Sequence, residues 1–177
     1  MTTYKRFEDL PVWQAAIGLG LRVFNLTDDR VFNEQGDLRS QLRRAALSVS
    51  NNIAEGFERG STNELLAFLY IARGSAGEVR SMLLFAERLE RVRQAADAAN
   101  LKSQISDLKS LAESCSRQIR AWADSLQSSD IRGQRHLNDA TRSAYDQRRN
   151  AEAFLGMLQQ VRDGAGQGTA PDAPAAP

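Results

Sequence analysis

Residues 38–64 read L-R-S-Q-L-R-R-A-A-L-S-V-S-N-N-I-A-E-G-F-E-R-G-S-T-N-E, and residues 65–89 read L-L-A-F-L-Y-I-A-R-G-S-A-G-E-V-R-S-M-L-L-F-A-E-R-L. These are two helical patterns joined by a glycine-bearing turn at Arg59 to Ser61. At about 100° per residue, Leu38, Leu42, Ala45, Ala46, Val49, Ile53 and Phe57 share one side of the first helix and form a core face. Beside them runs a polar stripe, Gln41, Arg44, Ser48, Asn52, Glu55 and Arg59, spaced so that all its members face a single neighbour.

The second helix is apolar over two adjoining stripes. Leu65, Phe68, Leu69, Ala72, Ala76, Val79, Leu83 and Ala86 make one. Ile71, Met82, Phe85 and Leu89 make the other, with Ser75 and Glu78 among them. A helix apolar over that much of its circumference needs partners on two sides, and the second partner expected here is another subunit. Ser61 and Glu64 have the spacing of a capping box, which places the helix start just after the turn. In an antiparallel hairpin about that turn, residues whose numbers sum to about 120 lie at one height. The count predicts an Arg44–Glu78 contact, with Gln41 or Ser75 completing its hydrogen bonds, and sets Gly74 opposite Ala46 for close helix approach. The polar residues then serve either as interhelical structure or as a ligand or nucleic-acid surface.

The run Q-L-R-R-A-A-L-S-V-S-N-N-I-A-E-G at 41–56, followed by I-A-R-G-S-A-G-E-V at 71–79, resembles the family of 23S rRNA-intervening sequence proteins, encoded within bacterial large-subunit ribosomal RNA genes. The upstream F-E-D-L-P-V-W at 7–13 is similar to that family's opening, and the resemblance covers roughly residues 4–126. It implies an up-down antiparallel four-helix bundle that assembles into a ring, typically a homopentamer, with no known enzyme activity. A relative in diversity-generating retroelements binds a reverse transcriptase and nucleic acid, which makes RNA, DNA or a reverse-transcriptase-like protein an expected partner.

The 177 residues suffice for one domain with a substantial core. The polar N-terminus offers no secretory signal, and the short apolar runs exclude a membrane-spanning helix. A cytoplasmic protein is expected, consistent with a single cysteine, Cys115. Charge is balanced, with 23 basic residues against 22 acidic ones, so the chain as a whole attracts phosphate backbones little. A local basic patch repeated around a ring remains the route to nucleic acid. Its candidates are Arg39, Arg43 and Arg59, with Arg88, Arg91 and Arg93 near the end of the second hairpin helix.

A helix before the hairpin is expected from Leu10 or Pro11 to Leu26, with Trp13, Ala16, Ile17, Gly20 and Phe24 inward and Gly20 explained by close packing. Thr27 to Gly36 reads as a loop whose Val31 and Phe32 tuck over the bundle end. The second hairpin helix should run to about Arg93. After a connection at 95–100, Leu101, Ile105, Leu108, Ala112, Cys115, Ile119, Trp122 and Leu126 alternate steps of four and three, the mark of a bundle seam. Cys115 within it reads as a small buried hydrophobe. The organisation is therefore all-α: a four-helix bundle over 1–127, an extra C-terminal helix within 128–162 whose apolar residues gather at Phe154, Leu155, Leu158 and Val161, and a disordered tail over 163–177.

Catalytic chemistry finds little footing. A dimetal centre in such a bundle needs glutamates with Glu-x-x-His pairs, and the single histidine, His136, stands in the extension with no glutamate three residues before it. Glycine-rich phosphate loops are missing too. No metal, cofactor or membrane role is expected, and no enzyme. Two readings of the function stay open: an oligomeric scaffold for nucleic acid or a nucleic-acid enzyme, and an adaptor that docks a protein through its C-terminal extension.

Overall fold

The computed structural model describes residues 4–33, 35–128, 143, 147 and 150–160. The chain divides into two compact units, Met1–Arg135 and His136–Pro177. The described residues are overwhelmingly helical and include no strand. In the first unit a 3-10 turn at Phe7–Asp9 leads into α1 (Pro11–Thr27), a single turn α2 (Arg30–Asn33), α3 (Gly36–Glu58), α4 (Thr62–Ala86), a second single turn α5 (Glu90–Arg93) and α6 (Ala98–Gln127). The long helices make a helical bundle: α3 packs on α4, α4 on α6, and α1 lies against both α3 and α6.

Local chemistry sets the helix ends. Pro11 occupies the first turn of α1, where a missing N–H costs nothing. At the start of α4, Ser61 Oγ accepts from the Glu64 N–H at 3.3 Å. The Glu64 carboxylate does not reach the Ser61 backbone but accepts from the Ser61 hydroxyl at 2.7 Å, a tighter form of the anticipated capping box.

The core follows the α3 and α4 patterns closely. Leu42, Ala45, Ala46, Val49 and Ile53 from α3 are buried with Leu65, Leu69, Ala72, Ala76, Val79, Leu83 and Ala86 from α4, while Leu38, Phe57 and Phe68 are half-buried at the margins. Ser48 lies beside Ser75, and Gly56 beside Phe68, within about one turn of the anticipated antiparallel register.

In α1 the inward face is rotated from the expected one. Val12, Ala16, Leu19, Val23 and Leu26 are buried, whereas Trp13, Ile17 and Phe24 sit half-exposed at the edge. The slimmer aliphatic residues enter the seam and the aromatic rings cover its flanks: Trp13 meets Phe7 edge-to-face at 5.2 Å, and Phe24 lies under the Arg43 guanidinium. The α6 seam holds from Leu101 to Ile119 and then steps four residues to Ala123, leaving Trp122 and Leu126 half-buried. A helix of 3.6 residues per turn drifts against a strict four-three alternation, and over this length the drift brings Ala123 to the centre.

Two glycine expectations are corrected. A Cβ at Gly20 or Gly74 would meet nothing within 4 Å, so neither position marks a close approach. The close approach is at Gly56, where a Cβ would lie 2.7 Å from Phe68 Cβ and 3.2 Å from Leu65 Cδ1. It lets the two arms of the hairpin converge just before the turn.

The connections also differ in detail. The segment after α1 is not wholly loop, because α2 forms within it and carries Phe32 to full burial. The second hairpin helix stops at Ala86 instead of Arg93. Leu89 is extended (φ −65°, ψ 129°) and starts α5, which turns Val92 into the core. In the second unit, residues 150–160 are helical with Phe154, Leu155, Met157 and Leu158 exposed. Asp130, His136, Val161 and the 163–177 tail lie outside the described residues.

Candidate interaction surface

The polar stripe of α3 separates into a closed network and an open groove. Asn52 Nδ2 donates to the Ser48 carbonyl at 2.7 Å and to Ser48 Oγ at 2.9 Å. Ser48 Oγ stands 2.9 Å from Ser75 Oγ, which donates to the Ile71 carbonyl at 3.0 Å. Each hydroxyl has one proton, so the chain runs from Asn52 through Ser48 and Ser75 to that carbonyl. Ser75 is buried and Ser48 and Asn52 half-buried, so these three residues form the interhelical structure anticipated for the stripe.

One turn further toward the N-terminus of α3, Gln41, Arg44 and Ser48 face Glu78, Ser81 and Met82 across a groove of about 660 Å³. The expected Arg44–Glu78 contact is not made: no ion pair or hydrogen bond joins the two among the described residues, although both line this groove. Both side chains are exposed rather than half-buried, so water solvates each charge and little favours holding two long side chains in one geometry. On the α4 side, Ile71 is 52% and Phe85 57% exposed, while Met82 and Leu89 are half-buried against the core. One α4 stripe is thus filled by the bundle and the other is largely open. Ser81, which joins the groove, was not singled out by periodicity because serine fits any helix face.

Most of the candidate arginines have partners within their own chain. Arg43 Nε donates to Thr27 Oγ1 at 2.7 Å and its Nη2 to Asp28 Oδ1 at 2.6 Å, with the guanidinium 4.7 Å from the Phe24 ring centroid. Arg39 reaches the same Asp28 at 3.1 Å. The hydrogen bond from Arg43, reinforced by the charges of Arg43 and Arg39, holds the Asp28 carboxyl below the usual carboxylate range. Arg59 pairs with Glu55 and lies 5.1 Å over the Phe68 ring. These side chains clasp helix ends and turns. The acceptors Thr27 and Asp28 close α1 rather than belonging to the expected loop, and nothing local in the sequence announces a partner sixteen residues away.

Arg88, Arg91 and Arg93 are exposed at the far end of α4 and in α5. Arg88 Nη1 donates to the Leu84 carbonyl at 2.6 Å, the cationic helix-end role expected of it, and Arg93 lies 3.7 Å from Glu90. Close by, Lys109 Nζ donates to Glu87 Oε2 at 2.7 Å, and that bond lowers the Glu87 pKa. Cys115 is fully buried, and loss of solvation pushes its thiol up to about 11, as suits a packing residue rather than a nucleophile. Among the described residues, no cluster of three or more His, Cys, Asp or Glu side chains could hold a metal ion, and no helix is long and apolar enough to cross a membrane.

Comparison with curated proteins finds no match. The family comparison is decisive: residues 8–114, from the 3-10 turn to the middle of α6, match the 23S rRNA-intervening sequence protein family, and the chain belongs to that family.

Proposed function

We propose that this protein is a non-enzymatic scaffold: an up-down antiparallel four-helix bundle that self-associates through the outer face of α3 and α4, as a homopentamer by family resemblance, and presents repeated surface to nucleic acid or a nucleic-acid enzyme. The observation that carries the reading is the open stripe of α4, where Ile71 and Phe85 stand exposed beside an unfilled groove. Large apolar side chains left exposed on one helix face, here about four turns apart with Met82 between them, point to an association site. Successive α4–α6 contacts, Tyr70 with Gln127 and Glu87 with Lys109, support the up-down arrangement, because the numbering falls along one helix as it rises along the other.

For nucleic acid, the better contacts are Arg88, which donates to a carbonyl, and Arg93, which Glu90 holds only loosely at 3.7 Å. Arg39, Arg43 and Arg59 already serve acids of their own chain. Mass measurement in solution tests the assembly: the wild type should be oligomeric, and Ile71→Glu with Phe85→Glu should yield folded monomers. A wild type that stays monomeric at working concentration would end the proposal. Salt-sensitive retention of generic RNA, lost on replacing Arg88 and Arg93 by Gln, would support the nucleic-acid role.

The adaptor reading has its own support in Phe154, Leu155, Met157 and Leu158, exposed on one short helical segment. Truncation at residue 129 that leaves RNA retention and oligomer mass intact while abolishing capture of a protein partner would favour it.

A further inference from the structure

We propose that the hollow where α4, α5 and α6 meet binds a small amphipathic anion, a single phosphate monoester or carboxylate carried on an apolar body. The hollow encloses about 510 Å³, within the range of small-molecule sites. Arg88, Arg93 and Lys102 stand on its walls, and Val92 and Ile105 lie at its base with two alanines of the first turn of α6. Among the described residues Glu87 is the only acid of the lining, and Lys109, from the next turn of α6, already holds its carboxylate. Three cations therefore share a cavity with one negative charge, which Lys109 bonds and which Lys102 and Arg88 also help to hold ionised.

Their own partners leave them available. Arg88 commits its Nη1 to the Leu84 carbonyl, and the rest of its guanidinium fork makes no hydrogen bond to an acid among the described residues. Arg93 is held only loosely by Glu90, at 3.7 Å with both side chains about two-thirds exposed. Lys102 forms no ion pair among the described residues. All three cations are hydrated, so their mutual repulsion is modest, and a guanidinium beside an ammonium suits a phosphate or carboxylate.

The base of the hollow selects the rest of the ligand. Inorganic phosphate would satisfy the cations and leave Ala98, Ala99 and the hydrocarbon stems of Arg88 and Lys102 facing water, above Val92 and Ile105, which the bundle already covers. Arg88 and Arg93 are shared with the nucleic-acid contact proposed above, whereas Lys102 and the two alanines belong to the hollow and distinguish a bounded site from a basic track. An anionic head on a short apolar body meets both requirements. The site is independent of the self-association proposed above, because none of its residues belongs to the open α3–α4 groove.

Calorimetric titration of the full chain with hexyl phosphate, below any micelle-forming concentration and at low salt, tests the assignment. Saturable binding of one ligand per chain is expected, weakened by about tenfold or more in Lys102→Glu and in Arg88→Gln but preserved in Lys102→Arg. Unchanged thermal unfolding of these variants would show that they fold. Inorganic phosphate and hexanol should each bind far more weakly than hexyl phosphate. Equal binding of hexyl and inorganic phosphate, or an unaltered titration in Lys102→Glu, would overturn the proposal. So would a single-stranded oligonucleotide that binds with Lys102 dependence when hexyl phosphate does not, and that outcome would assign the hollow to nucleic acid.

Discussion

Arg43 and Arg44 are neighbours on α3 and face opposite circumstances. Arg43 points toward α1, where it bonds Thr27 and Asp28 and covers Phe24. Arg44 points toward α4, where it lines a groove opposite Glu78 and touches no acid among the described residues. At this height the α1 side of the helix is chemically closed and the α4 side is open, and only one turn later do Ser48 and Ser75 close it. Charge alone therefore does not mark a binding residue; what matters is whether the same chain supplies a partner, which depends on the face a residue occupies.

The strongest challenge to this contrast lies at Gly56. Gly56→Ala sets a methyl 2.7 Å from Phe68 Cβ, an atom too close to the backbone to swing aside. Overpacking of this kind should lower stability by about 1–3 kcal/mol, read from the urea midpoint. An unchanged midpoint would mean that the hairpin arms are not tightly joined on this side.

Arg43→Ala removes the bond to Thr27 and the cover over Phe24, and should cost about 1–2 kcal/mol. Its loss should also depend on pH. The Asp28 pKa is depressed in the folded state, so the stabilisation is present above the ordinary carboxylate range and fades as pH falls through the folded value. The gap between wild type and variant should narrow in acid, the Thr27 bond and the cover over Phe24 preserving the rest, and a gap that stays constant would exclude the Arg43–Asp28 pairing as a contributor.

Gly74→Ala sharpens the comparison from the other side. The position is open within the protomer, so helix propensity alone should stabilise an isolated protomer by about 0.5–1 kcal/mol. If a second subunit covers this face tightly, the same variant should weaken the oligomer, which dilution followed by mass measurement would reveal. The smallest effect is expected for Arg44→Ala, within about 0.5 kcal/mol of the wild-type protomer. A larger loss would show that its groove holds an interaction absent from the single chain.

Much of the fold was legible because burial imposes a period. The α3 and α4 stripes and the α6 seam as far as Ile119 are runs in which every third or fourth residue is apolar, and that pattern requires only local geometry. It failed in α1, where Trp13 and Phe24 outweigh Val12 and Val23 in bulk but lie at the edge, since hydrophobicity does not say which residues fit between helices. The site was less legible. Ser48 and Ser75 could be brought together by counting residues along an antiparallel pair, but Arg44 and Glu78 could not be joined by the same count. Short side chains on facing helices have few places to go, and long exposed ones have many. Lys102 went unnoticed because its significance comes from α5 folding back beside it, a turn created by the break at Leu89.

The enclosure of Cys115 gives the bundle its own clock. A thiol with no exposed surface and a pKa near 11 is nearly inert toward alkylating reagents until its helix lifts away. Its labelling rate in native buffer therefore counts openings of the α6 seam, with no tag or foreign probe required. Comparing that rate across protein concentrations would reveal whether subunits steady one another's interiors.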